Sequence, residues 1–164
     1  MNQLKATIES HHFFKQFKPE HLDLITSGAK SESFKPGEII VREGDPANMF
    51  YLIESGQIVL ETKQPGDGLV LIQHLGPGEL IGWSWLVPPF VWHFNARAAE
   101  PTRVIVMNGA ALLAQAEKNH DFGFQLMKTV MQIVLQRLQA TRIQLLTSRL
   151  QTEAASAAII SGSH

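Results

Sequence analysis

The sequence predicts a mainly β domain, an antiparallel β-roll or jelly roll with short helices before it and a long helix after it. Three observations carry this. Between Ser33 and Met107, short runs rich in branched and aromatic residues alternate with turns built on Gly and Pro. Before Ser33 the apolar residues are spaced as in short helices. After Met107 helix formers return, and no proline occurs from Phe122 to Gln151. Many short strands joined by tight turns favour a closed roll or sandwich, because closure removes exposed sheet edges.

Residues 1–32 are expected to hold the N-terminal helices, where Phe13, Phe14, Phe17, Leu22 and Leu24 supply the apolar positions. Pro19 suits the first turn of a second helix, where a missing N–H costs little, and Gly28 is its stop. Residues 33–107 form the roll. Its strands are IIVREG, MFYLIESGQIVLE, LVLIQHL and TRVIVM, and its punctuation is Pro36-Gly37, Gly44-Asp45-Pro46, Ser55-Gly56, Pro65 to Gly68 and Pro77-Gly78. Gly66-Asp67-Gly68 lacks the lysine and following helix of a phosphate loop and reads as a hairpin turn. Residues 108–151 form the C-terminal helices. Met127, Met131, Val134, Leu138 and Leu145, with Phe124, make one stripe, and Leu126, Val130 and Ile133 make a second. A helix apolar on two sides must bury both, one on the roll and one on a second copy, so a homodimer through this helix is expected. The small, polar segment 152–164 is expected to be a flexible tail.

Composition excludes several classes. Hydrophobic residues are 45% and charged residues 18% of the 164-residue chain, a globular balance fitting one domain. A net charge of −1 gives no field toward nucleic acid or an anionic membrane. The chain has no cysteine, which removes disulfides, thiolate nucleophiles and cysteine-ligated metals. MNQLKATIES lacks signal-peptide order, and no run nears the ~18 apolar residues of a membrane span, so a soluble cytoplasmic protein is expected.

The run SFKPGEIIVREGDPANMFYLIESGQIVLE then carries a more specific signal. Pro36-Gly37 leads to a strand, followed by Gly44-Asp45, the Tyr51–Ile53 strand and Gly56. This pattern resembles the cyclic-nucleotide-binding domains of catabolite-activator-like and FNR-like regulators. HHFFKQFKPEHLDLI before it is similar to that family's N-terminal helices, and LGPGELIG to the approach to its ligand loop. The likeness covers about residues 11–150. It implies a regulatory, signal-transducing β-roll whose loop after Gly82 begins a short helix with amides facing a cyclic phosphate. It also implies a glutamate beside the glycine for the ribose hydroxyl, and an arginine some ten residues on for the phosphate.

Here the segment reads GWSWLVPPFVWHFNARA. Gly82 is in place, Trp83 stands at the glutamate position, and Ser84 could keep an amide and hydroxyl contact. Counting back from Ala98 puts Trp92 at the arginine position and His93 after it. A slip of one residue supplies no arginine, and Arg97 lies too far along the strand. Losing charge-assisted partners of this kind costs about 10²-fold or more in affinity, so tight binding of cAMP or cGMP is not expected. The phosphate-binding cassette is thus degenerate. Trp83, Trp85, Phe90, Trp92 and Phe94 fall within twelve positions and hold five of the chain's 13 aromatics. Three readings stand: the tryptophans plug the old pocket, line a reshaped one for an unidentified small molecule with His93 or Asn95 as polar handles, or form a docking patch for a protein partner. The candidate site is therefore Gly82, Trp83, Ser84, Trp85, Trp92, His93 and Asn95.

No cofactor is expected. The histidines are scattered without an H-x-H pair, and only His74 and His93 could approach across strands, too few ligands for a metal site. There is no serine elbow or cysteine nucleophile, so an enzyme is not expected. Too little chain follows Gln151 for a helix-turn-helix, so the reading is a stand-alone regulatory module without DNA binding. The other class in play is a ligand-free interaction module or accessory subunit.

Overall fold

The computed structural model describes residues 3–66 and 68–162. In chain order the elements are α1 (Gln3–Ser10), α2 (Pro19–Thr26), β1 (Lys30–Phe34), β2 (Ile39–Val41), β3 (Met49–Ser55) and β4 (Ile58–Gln64). They continue with β5 (Gly68–Leu75), β6 (Leu80–Ile81), β7 (Asn95–Ala98), β8 (Thr102–Asn108), α3 (Gly109–Lys118) and α4 (His120–Ser161). Two four-stranded antiparallel sheets, ordered β1-β8-β3-β6 and β2-β7-β4-β5, form the expected roll. The first strand starts at Lys30, slightly earlier than Ser33, because β1 finds a full ladder on β8 from Lys30↔Val106 to Phe34↔Thr102. Asp67 of the expected hairpin turn lies outside the described residues, but β4 and β5 on either side of it pair from Gln64↔Gly68 to Ile58↔Leu75.

The chain divides into two compact units, residues 1–129 and 130–164. In the first, the core of the roll holds Ile53, Ile58, Leu75, Ile81, Ala96 and Val104, all essentially removed from solvent. Gly56 shows why this frame needs glycine. Its φ is +95°, and a Cβ there would sit 2.6 Å from the Pro101 carbonyl oxygen and 2.7 Å from the Thr102 Cα. A second apolar cluster joins the helices: Phe17 lies 6.1 Å from Phe14 and 6.1 Å from Phe122, whose ring is 5.3 Å from that of the buried His21. Asn108 and Asn119 cap α3 and α4, their side-chain oxygens accepting from the amides of Ala111 at 3.0 Å and Phe122 at 3.1 Å.

His11 ties the N-terminal segment to the turn before β6. Its Nε2–H donates to the Gly78 carbonyl at 2.6 Å, which leaves Nδ1 to accept from the Phe13 amide at 3.2 Å. This is the neutral ring, and burial pushes its pKa below the ordinary 6.5. The folded state therefore binds fewer protons than the unfolded one, so stability is full above about pH 6.5 and is lost as pH falls toward the depressed folded value. The stability advantage of wild type over His11→Gln, measured by urea unfolding, is expected to shrink between about pH 7.5 and about pH 5.5.

The second unit is the remainder of α4. The helix does not stop at Gln151 but runs to Ser161. Composition explains the difference: TEAASAA is small and polar, yet its alanines are the strongest helix formers. Along α4 burial varies with the stripe, with Ile133 and Val134 both half-buried. Leu126 and Val130 are buried, whereas Met131, Leu138 and Leu145 are 64%, 55% and 60% exposed. Among the described residues no helix is long and apolar enough to cross a membrane.

Candidate functional site

The segment from Gly82 to Ala98 leaves β6, crosses the rim of the roll and returns as β7. The short helix implied by the resemblance is replaced by two hydrogen-bonded turns, Leu86 N–H to Trp83 carbonyl at 3.0 Å and Phe90 N–H to Val87 carbonyl at 3.1 Å. Pro88 and Pro89 interrupt any helix here, since neither has an amide to donate.

Backbone bonds hold the far half of the segment against residues 44–47. The Gly44 amide donates to the Trp92 carbonyl at 2.8 Å, the Trp92 amide to the Asp45 carbonyl at 3.0 Å, and the Ala47 amide to the Phe90 carbonyl at 2.7 Å. These bonds turn the Trp92 side chain into the roll. The indole is 4% exposed, lies within the roll's apolar core, and has the rings of Tyr51 and Phe94 at 6.2 and 5.9 Å. It rests directly on the Gly82 backbone: a Cβ at Gly82 would be 2.5 Å from Trp92 Cη2 and 2.7 Å from Cζ3. Gly82 itself has φ +102°, so both backbone and space require glycine.

Trp85 takes a different route. It is 2% exposed, stacks on Phe50 at 5.1 Å, and its indole N–H donates to the Gly82 carbonyl at 3.1 Å. Its ring also covers Gly109, where a Cβ would fall 2.5 Å from Trp85 Cγ. Ser84 is buried and Trp83 half-buried. The fold thus gathers Trp85 and Trp92 on Gly82 from opposite ends of the segment.

His93 and Asn95 do not join them. His93 is exposed. Asn95 Oδ1 accepts the Glu43 amide at 2.8 Å, and the Glu43 carboxylate accepts from the Thr62 hydroxyl at 3.0 Å and the Lys63 amide at 3.3 Å, so this amide serves the loop after β2. Arg97 points away from the interior. Alternation on β7 buries Ala96 and Ala98 in the roll and puts Arg97 on the other face, where its Nε donates to Glu61 Oε2 at 3.3 Å. That bond and the attraction of the Glu61 carboxylate hold the guanidinium pKa above its ordinary value. Tyr51 and Phe94, which complete the aromatic group around Trp92, were not among the expected site residues. Among the described residues no three His, Asp or Glu side chains converge as a metal site.

A β-roll flanked by helices, with a glycine-led loop folded onto its interior, defines an effector-type regulatory domain. The chain belongs to the cyclic nucleotide-binding domain family, whose model matches residues 31–119. A Geobacter metallireducens GS-15 protein described as cyclic nucleotide-binding is similar in structure. Its TM-score is 0.74 at 30% identity, covering 84% of this chain and 99% of that one. Among curated relatives, the acetyltransferase Pat of Mycolicibacterium smegmatis is 31% identical over 96 residues, 58% of this chain and 28% of the relative. The cyclic AMP receptor protein of Thermus thermophilus is 28% identical over 131 residues, 70% of this chain and 61% of the relative. The chain therefore spans less than two thirds of the length of these curated relatives, and the family's domain occurs in enzymes as well as in regulators.

Proposed function

We propose that this domain regulates without binding cAMP or cGMP tightly, because Trp92 fills the place in the roll where a relative's nucleotide phosphate would lie. The observation that supports this is the contact of the Trp92 indole with the Gly82 backbone inside the apolar core. A phosphate at that position would meet an aromatic ring, and Arg97, the one arginine of the segment, is engaged with Glu61 on the opposite face. Titration with cAMP or cGMP, followed by tryptophan fluorescence, is expected to give no saturable change up to about 100 μM, a range that a retained charge-paired site would saturate. Saturation at micromolar nucleotide would overturn the reading.

Burial of Trp85 and Trp92, with Trp83 half-buried, weighs against the protein-docking alternative. What the segment exposes between Gly82 and Ala98 is Val87 to Phe90 and His93.

The domain's output is carried by self-association through α4. Phe124, Met127, Met131, Leu138 and Leu145 all stand about half or more exposed on one side of this helix, an apolar stripe that a monomer would leave in water. At the turn between α3 and α4 a groove of about 230 Å³, lined by Leu113, Ala116, Phe124 and Met127 among others, continues that apolar surface. Met131→Glu places a charge in the stripe, and light scattering is expected to report half the wild-type mass; an unchanged mass counts against this interface.

A further inference from the structure

The four outer strands of the two sheets are not protected alike. β6 has two residues and β2 three, while β1 carries Lys30 and Glu32. Short length and charge are the usual devices that stop an open edge from pairing with another chain. β5 has neither. It is the longest of the four at eight residues, GLVLIQHL, and contains no proline, lysine, arginine, aspartate or glutamate. Leu69, Leu71 and Ile72 on it are 54%, 51% and 38% exposed. Among the described residues only β4 is ordered beside it in the sheet.

We propose that β5 pairs antiparallel with β5 of a second copy, joining two four-stranded sheets edge to edge. An isologous contact brings each residue near its own copy around a two-fold axis, so a charge on the strand would meet itself. β5 is self-compatible because it carries none. The register follows from its ladder with β4. Gly68 to Leu71 pair regularly with Gln64 to Glu61, and the register then shifts, leaving Ile72 as a bulge between Leu71↔Glu61 and Gln73↔Leu60. The straight stretch therefore ends at Leu71, and because opposite residues of an antiparallel pair share a face, the two-fold axis falls on a residue; set on Val70, it puts Val70 opposite Val70 and Leu69 opposite Leu71. Leu69 and Leu71 share one face of the sheet with Lys63 and Glu61 of β4. In the paired sheet the four leucines form one apolar cluster, and each Lys63 row runs across Leu69 and the second copy's Leu71 to its Glu61.

So short a ladder makes a weak contact by itself, distinct from the α4 stripe. Sedimentation velocity over about 10–500 μM separates the two. Leu71→Lys, a substitution at a half-exposed site, is expected to abolish a concentration-dependent doubling of mass, with the circular dichroism spectrum unchanged. The same loss is expected from Leu71→Lys in a Met131→Glu background, where the doubling runs from monomer to dimer. Leu69→Lys should act alike, and amide exchange of residues 69–71 should slow as wild-type concentration rises. If Leu71→Lys and Leu69→Lys leave the mass distribution unchanged, or if only one association step occurs and Met131→Glu alone removes it, the β5 pairing is overturned. Failure of the α4 reading has its own signature, an unaltered mass for Met131→Glu.

Discussion

Trp92→Ala is expected to destabilise the domain by about 3–5 kcal/mol, as for other buried tryptophans whose loss leaves a cavity. Domains of this size are stable by about 5–15 kcal/mol, so the variant should lose about a fifth or more of its margin. The physical cause is the site's enclosure. The indole is 4% exposed, and the small, fully buried Ala96 of β7 shares its core cluster, fixed in a ladder that cannot close on the void. Urea unfolding followed by circular dichroism reads the effect without relying on the deleted fluorophore. The same measurement on Trp83→Ala should give about 1 kcal/mol or less, because that ring is half-buried. A cost at Trp92 as small as that at Trp83 would mean that the indole lines an open, hydrated pocket, and the proposed loss of nucleotide binding would lose its main support.

Much of the fold was legible because strands and turns are written in short-range chemistry. The branched and aromatic runs of β3, β4 and β8 mark strands by their composition, and the positive φ of glycines such as Gly56 follows from backbone sterics, so neither needs knowledge of the rest of the molecule. The fate of the tryptophans was not legible in the same way. A tryptophan in this segment can plug, line or dock, and the choice depends on free volume inside the roll. The available hint was Ala96, a small residue on the strand that follows, which leaves room for an indole. His93 and Asn95 seemed natural polar handles by proximity in sequence. One is exposed and the other holds the Glu43 amide, because the pairing of this segment with residues 43–47 decides where its side chains point. The helix continues past Gln151 for a simpler reason: the small, polar run after it is rich in alanine, the strongest helix former.

Gly82→Ala should be nearly as damaging as the loss of Trp92, and the two effects should not add. An alanine at φ +102° carries backbone strain of about 1–3 kcal/mol. Its Cβ also needs the space 2.5 Å from Trp92 Cη2, an overpacking cost of about 1–3 kcal/mol, because the ring is wedged in the core and cannot step aside. Gly44→Ala isolates the first contribution, since Gly44 has φ +88° and nothing within 4 Å of a Cβ. In a Trp92→Ala background the second contribution disappears, as there is no ring left to strike. A double-mutant cycle should therefore return a coupling of about 1–3 kcal/mol between positions 82 and 92, with the double variant more stable than the sum of the single losses predicts. Strict additivity would place the indole away from the glycine. Strong coupling would mean that the glycine which leads a phosphate loop in this family here leads onto a tryptophan, and that the two residues are maintained as one packing unit.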